Sequence, residues 1–157
     1  MHSCAPQPEE VTLSAARSDE FEELVRLRIE AMRESLERIG RFDPARARER
    51  FRASFAPAFT RHILWQGEKV GFVAASPTPE GLSLDHLYLA PAHQGRGIGS
   101  AVLAIVFAEA DAAGLTLRVG ALRESASQRF YLRHGFVPAE EGEWDIYYLR
   151  PARGARE

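Results

Sequence analysis

The run Gln94-Gly95-Arg96-Gly97-Ile98-Gly99 decides the reading of this chain because of what stands on either side of it. Before it, Leu82 to Leu89 is an apolar, strand-like segment closed by Ala90-Pro91. After it, Ser100 to Ala113 carries Val102, Leu103, Val106, Phe107 and Ala110 at helical spacing. A strand, a glycine-rich turn and a helix N-terminus, in that order, make an anion cradle. The first amides of a helix lack internal acceptors, the helix dipole adds partial positive charge, and glycines let a phosphate reach the backbone. A ligand bearing a phosphate or pyrophosphate is expected here.

Spacing narrows the ligand. A P-loop ends in Gly-Lys-Ser/Thr, and Ile98-Gly99-Ser100 has no lysine. A dinucleotide fingerprint needs glycine or alanine three places after Gly97, where Ser100 stands. The carboxylate it also needs about 20 residues on is missing from Ala113-Gly114-Leu115-Thr116-Leu117. The pattern Gln-x-x-Gly-x-Gly at Gln94, Gly97 and Gly99, preceded by Leu87-Tyr88-Leu89-Ala90-Pro91-Ala92-His93, instead resembles the coenzyme A cradle of the GNAT superfamily of N-acetyltransferases.

Composition leaves room for that reading. The chain has 157 residues, enough for one domain with one core, and its 45% apolar and 27% charged residues are ordinary for a globular protein. A net charge of −2 offers no electrostatic case for nucleic acid or a membrane surface. The single cysteine, Cys4, excludes an internal disulfide, and no Cys/His cluster has metal-ligand spacing, so no metal is expected. No apolar run approaches the roughly 18 residues of a membrane helix, and Met1 to Glu10 has no signal-peptide pattern. A cytoplasmic protein is expected. Lys69 is the sole lysine among 20 basic residues, an arginine bias suggesting a GC-rich bacterial source.

Along the chain, residues 1–10 read as a flexible lead and 151–157 as a frayed tail. Between them Val11 to Ala15 is a strand. Ser18-Asp19 open a long helix whose buried face is Phe21, Val25, Ile29, Met32, Leu36 and Ile39, ended by Gly40. Asp43-Pro44 begin a second helix running to about Phe55. Thr60 to Trp65 and Val70 to Ser76 form a hairpin, and Leu82 to Leu89 follows. After the cradle helix come a strand at Leu115 to Val119, a helix at Ala126 to His134, and a strand pair at Phe136 to Glu140 and Trp144 to Leu149. This is one mixed α/β (α+β) domain over residues 11–150. The order of elements also resembles the GNAT fold: a mixed central sheet flanked by helices, with a cleft between two splayed parallel strands, Leu82–Leu89 and Leu115–Val119.

The resemblance implies an enzyme that moves acetyl from acetyl-CoA to a primary amine, most simply of a small molecule and otherwise a protein amino terminus, by direct attack in a ternary complex. A homodimer is compatible with it. The alternative is a non-catalytic sensor or regulatory module that binds acyl-CoA. Backbone groups of Gln94, Gly95, Arg96, Gly97, Ile98, Gly99 and Ser100 would hold the pyrophosphate, and main-chain groups of Leu87, Tyr88 and Leu89 would pair with the pantetheine like an extra strand. Arg129-Phe130-Tyr131-Leu132-Arg133-His134-Gly135-Phe136 resembles the family's Phe-Tyr-x-x-x-Gly-Phe signature, in which the tyrosine, here Tyr131, protonates the departing thiolate. Where the family often has a pantetheine-binding asparagine, seven residues before that tyrosine, this chain has Glu124, which keeps an acceptor and loses the amide donors. Glu124 is therefore a candidate for the cofactor or for the amine. Candidate bases are His86, whose ordinary pKa suits the task, with Asp85 and Glu124. The acceptor pocket is expected from Arg38 to Phe55 and Trp144 to Tyr148, where Arg41, Arg46, Arg48, Arg50 and Arg52 are either a site for an anionic group or, more commonly for a helix, a solvated face, and Phe42, Trp144, Tyr147 and Tyr148 are either an aromatic wall or core.

Overall fold

A tight turn at Gln66-Gly67 brings Trp65 opposite Glu68 and starts the hairpin around which the sheet is laid. The structure, a computed structural model, describes residues 10–153. In chain order it contains β1 (Val11–Ala15), α1 (Phe21–Arg38), α2 (Pro44–Ser54), β2 (Thr60–Trp65), β3 (Glu68–Thr78) and β4 (Gly81–Leu89). Then follow α3 (Ile98–Ala113), β5 (Leu117–Leu122), α4 (Ala126–Arg133), β6 (Val137–Glu141) and β7 (Asp145–Arg150). The strands order as β1-β2-β3-β4-β5-β7-β6 in a mixed seven-stranded sheet. This is the element order expected from the sequence. The expected lead and tail, and Cys4, fall wholly or largely outside the described residues.

Residues up to Ala74, with His86–Val102, make one unit. Its core is aromatic: Phe51 is 1% exposed and its ring stands 5.5 Å from Phe21, 5.4 Å from Phe55 and 5.6 Å from Phe72. Burying each such ring contributes roughly 1.5–3 kcal/mol. Asp43 caps α2 by accepting from the Arg46 amide, with Pro44 in the first turn, as expected. The long apolar face of α1 is only partly realised. Phe21, Leu24 and Val25 are buried, whereas Ile29, Met32, Leu36 and Ile39 are half-buried, because the aromatic cluster extends no further along the helix than Ile29.

The start of α1 is anchored by a buried carboxylate. Glu20 Oε1 accepts from His62 Nε2 and from the Arg17 amide, each at 2.8 Å, and Oε2 accepts from Lys69 Nζ at 3.2 Å. The His62 hydrogen bond first, then the Arg17 amide, lower the Glu20 pKa from 4.5 to about 2. Unfolded Glu20 therefore takes up a proton at a higher pH than folded Glu20. Its contribution to stability is complete above the ordinary carboxylate range and is lost as pH falls from about 4.5 toward 2. The expected Tm advantage of wild type over Glu20→Gln is full near about pH 6 and smaller near about pH 3. Thermal denaturation at both values checks this; an equal advantage at the two would refute it.

Ala75–Asp85 and the residues from Leu103 onward make the second unit. Here β4 and β5 are parallel neighbours, as expected, paired from Leu82↔Leu117 to Leu84↔Val119. β5 also pairs antiparallel with β7, from Leu117↔Arg150 to Leu122↔Asp145. This corrects the expected strand at Leu115 to Val119. The Leu115 amide is spent on the Ala110 carbonyl at 2.8 Å, closing α3, and β7 carries the ladder on to Leu122. On β5, Leu117, Val119 and Ala121 are buried while Arg118 and Gly120 face outward. Arg150 on β7 is buried and forks onto Asp111 of α3 at 2.9 and 3.2 Å. With the Arg153 amide, it draws the Asp111 carboxyl down to about 2.

Candidate active site

The cradle begins where β4 ends. The Ala90 amide donates to the Val70 carbonyl at 2.9 Å, and the Gln94 side chain donates from Nε2 to the Leu89 carbonyl at 3.0 Å. Gln94 thus ties the loop back to its strand, a structural task that the spacing alone did not reveal. A short turn at Pro91–His93 follows, and the helical ladder opens with the Ala101 amide on the Gly97 carbonyl at 3.1 Å. The amides of Ile98 and Gly99 therefore precede the ladder, and α3 starts two residues earlier than Ser100. Gly97 has φ of +85°, a conformation that side-chain-bearing residues adopt only with strain. Arg96, exposed, lies over the Trp65 ring with its guanidinium carbon 5.8 Å from the centroid.

Upstream on β4, Leu87, Tyr88 and Leu89 are half-buried. Gly71 of β3 allows this packing: a Cβ there would stand 2.2 Å from the Tyr88 carbonyl oxygen. His86 is also half-buried, its ring edge-on to Phe51 at 5.0 Å and tilted against Phe72 and Tyr88 at 5.9 and 5.7 Å. The two strand aromatics thus belong to the same cluster as the core of α1 and α2. Of the arginines expected to serve an acceptor, Arg48 is hydrogen-bonded to Glu22 of α1, and Arg52 reaches the same carboxylate at 3.9 Å while lying over Phe21. These two bind α2 to α1. Phe42 carries Arg33 over its ring at 4.6 Å.

In the second unit, α4 is capped by Ser125, whose Oγ accepts from the Gln128 amide at 3.2 Å. Tyr131 is 5% exposed, with its ring 5.3 Å from both Phe130 and Phe136. The Phe-Tyr-x-x-x-Gly-Phe spacing has a physical cause. Gly135, at φ +92°, reverses the chain, the Phe136 amide donates to the Tyr131 carbonyl at 3.2 Å, and the Phe136 ring closes on Tyr131. The signature's glycine and phenylalanine thereby fix where the tyrosine ring sits. Of the two readings open for Tyr148, aromatic wall or core, its 0% exposure makes it core, whereas Trp144 is 40% exposed. Among the described residues no three His, Cys, Asp or Glu side chains cluster as metal ligands would.

Glu124 is exposed and sits at φ +60°, one of two non-glycine residues with positive φ among those described. Left-handed backbone costs an ordinary side chain about 1–2 kcal/mol and is tolerated better by asparagine. The asparagine usual in the family at this place therefore also fits the backbone. Glu124→Asn is expected to raise stability by about 1 kcal/mol in denaturant titration. A variant less stable than wild type would mean that the glutamate's contacts outweigh the strain.

A family model described as an acetyltransferase (GNAT) domain matches residues 60–138, half of the chain, and the chain belongs to that family. The match begins at β2 and runs through the cradle and α4 into β6. Solved structures agree in fold over nearly the whole length. The PaiA N-acetyltransferase of Thermoplasma acidophilum, in complex with coenzyme A, is 15% identical, with a TM-score of 0.74 over 90% of this chain and 98% of that one. An acetyltransferase of Thermus thermophilus is 21% identical, with a TM-score of 0.67 over 96% and 99%. The ribosomal-protein-S18-alanine N-acetyltransferase of Escherichia coli is 17% identical, with a TM-score of 0.66 over 93% and 97%. At these identities the likeness is one of fold. A search of curated proteins found no match. No helix among the described residues is long and apolar enough to cross a membrane.

Proposed function

We propose that residues 11–150 transfer an acetyl group from acetyl-CoA to the primary amine of a small molecule, by direct attack in a ternary complex. The observation that carries this reading is the loop from Gln94 to Gly99. It is held to β4 through Gln94, turned by Gly97 in left-handed backbone, and followed by helix amides that precede the α3 ladder. Such amides suit a pyrophosphate. The complex of the Thermoplasma acidophilum relative with coenzyme A supports the choice of ligand.

In the proposed reaction the amine nitrogen attacks the thioester carbonyl carbon, the carbon–sulfur bond breaks, and the electron pair leaves on sulfur. Main-chain groups of Leu87 to Leu89 hold the pantetheine, and Tyr131 gives its phenolic proton to the thiolate. A phenol is suited to this, staying protonated up to about pH 10 while matching an alkyl thiolate in basicity. The proton lost by the ammonium passes to His86, to Glu124 or through water. The cytoplasm is the compartment this reading expects. The test is calorimetric titration with coenzyme A, followed by thiol release from acetyl-CoA across a panel of amines. Donor binding with no acetylation of any amine would favour an acyl-CoA sensor; absence of donor binding would overturn both.

A further inference from the structure

Arg28 interrupts the apolar face of α1. Its neighbours three and four residues away are Leu24, Val25, Ala31 and Met32, so no carboxylate stands at the spacing from which a helix neutralises an arginine. Within the first unit its guanidinium carbon lies 5.6 Å from the centre of the Tyr88 ring of β4. That ring is itself flanked by Phe72 at 5.5 Å and His86 at 5.7 Å. Arg28 is half-buried, its Nε is shut off from solvent, and among the described residues nothing accepts a hydrogen bond from that Nε.

Other arginines of the two helices are placed differently. Arg33 also covers a ring, that of Phe42 at 4.6 Å, but it reaches Glu30 and Glu37 at 3.6 Å each. Arg48 and Arg52 share Glu22. Among the described residues no carboxylate pairs with Arg28. Leucine or methionine would serve the packing of this face as well, without the cost of taking a cation partly out of water. What neither can supply is a planar fork. One face of the guanidinium rests on the Tyr88 ring, which fixes its plane, and its terminal nitrogens keep donors for the two oxygens of one carboxylate. We propose that Arg28 determines acceptor specificity, and that the acceptor is a small amino acid whose carboxylate Arg28 receives in a bidentate pair. The inference rests on the acetyltransferase reading: Tyr88 belongs to the stretch proposed to hold the pantetheine, so a molecule anchored over it lies beside the acyl donor.

The probes are glycine, 3-aminopropanoate and 4-aminobutanoate, each beside its primary amide, which keeps the shape and removes the charge. Each is titrated calorimetrically into the protein with coenzyme A bound, and each is assayed for acetylation, in wild type and in Arg28→Gln. At least one acid should be preferred over its amide by about 10–100-fold in Kd and in kcat/KM, the range expected of a charge-assisted pair. Arg28→Gln should bring that ratio toward one, and comparing ratios between proteins cancels the differing basicities of the two amines. Arg28→Lys, which keeps the charge without the fork, should retain only part of the preference. Coenzyme A affinity should be the same in all three proteins. An acid preference in binding that Arg28→Gln abolishes supports the site even if nothing is acetylated, in which case the catalytic reading alone fails. Amides bound as well as acids, or a preference that survives Arg28→Gln, overturns the proposal. So does a loss of coenzyme A affinity equal to the loss for the acid, which would give Arg28 to a phosphate of the donor. Acetylation of the amides would then leave the catalytic reading standing.

Discussion

Replacing Tyr131 by phenylalanine is expected to lower kcat by about 10²–10⁴-fold, the range for losing a positioned acid, while coenzyme A still binds. The packing of the ring survives the substitution because of how the ring is held. Phe130 and Phe136 contact it at 5.3 Å, and the Phe136 amide bonds to the Tyr131 backbone carbonyl, so none of these contacts needs the hydroxyl. The loss should fall on kcat, since the proton is needed only as sulfur departs, and KM for the amine should change little. Steady-state kinetics with a verified amine, beside calorimetry with coenzyme A, separates these effects. Wild-type turnover in Tyr131→Phe would assign the proton to water. A loss of donor affinity equal to the loss of turnover would make Tyr131 a packing residue.

The same residue shows what was legible in the sequence. The order of elements could be read because each boundary has a local chemical cause: Asp43 before Pro44, Gly40 and Gly135 at helix ends, a tight turn at Gln66-Gly67. The ends of β5 could not. They depend on where α3 closes and on how far β7 runs alongside, which are facts about distant partners. The cradle was legible as a pattern, but the work of Gln94 on Leu89 was not, because a side chain's choice of partner is not carried by spacing. Least legible was the meeting of Asp85, Arg118, Asp145 and Tyr147 around one surface cavity. Its members come from three strands, and Gly120, which admits the Tyr147 ring, reads in sequence as an ordinary strand glycine. The arginines of α2, conspicuous in sequence as an anion site, include Arg48 and Arg52, both spent on Glu22.

Gly97→Val is expected to weaken coenzyme A binding by about 10²-fold or more, as the loss of one or two charge-assisted hydrogen bonds would. Two effects act together. At φ +85° a β-branched residue is strained, by about 1–3 kcal/mol, so the loop shifts away from the conformation that presents its amides. The added methyls also stand between the phosphate and the backbone that would receive it. Strain alone can be measured at Gly40, at the far end of α1, which has φ of +71° and nothing within 4 Å of where a Cβ would stand. Gly40→Val should lower Tm by a comparable amount and leave coenzyme A affinity intact. Calorimetry on both variants, with circular dichroism to establish that each is folded, decides the matter. A folded Gly97→Val protein that binds coenzyme A as wild type does would remove the pyrophosphate from this loop, and with it the observation on which the acetyltransferase reading of this chain chiefly stands.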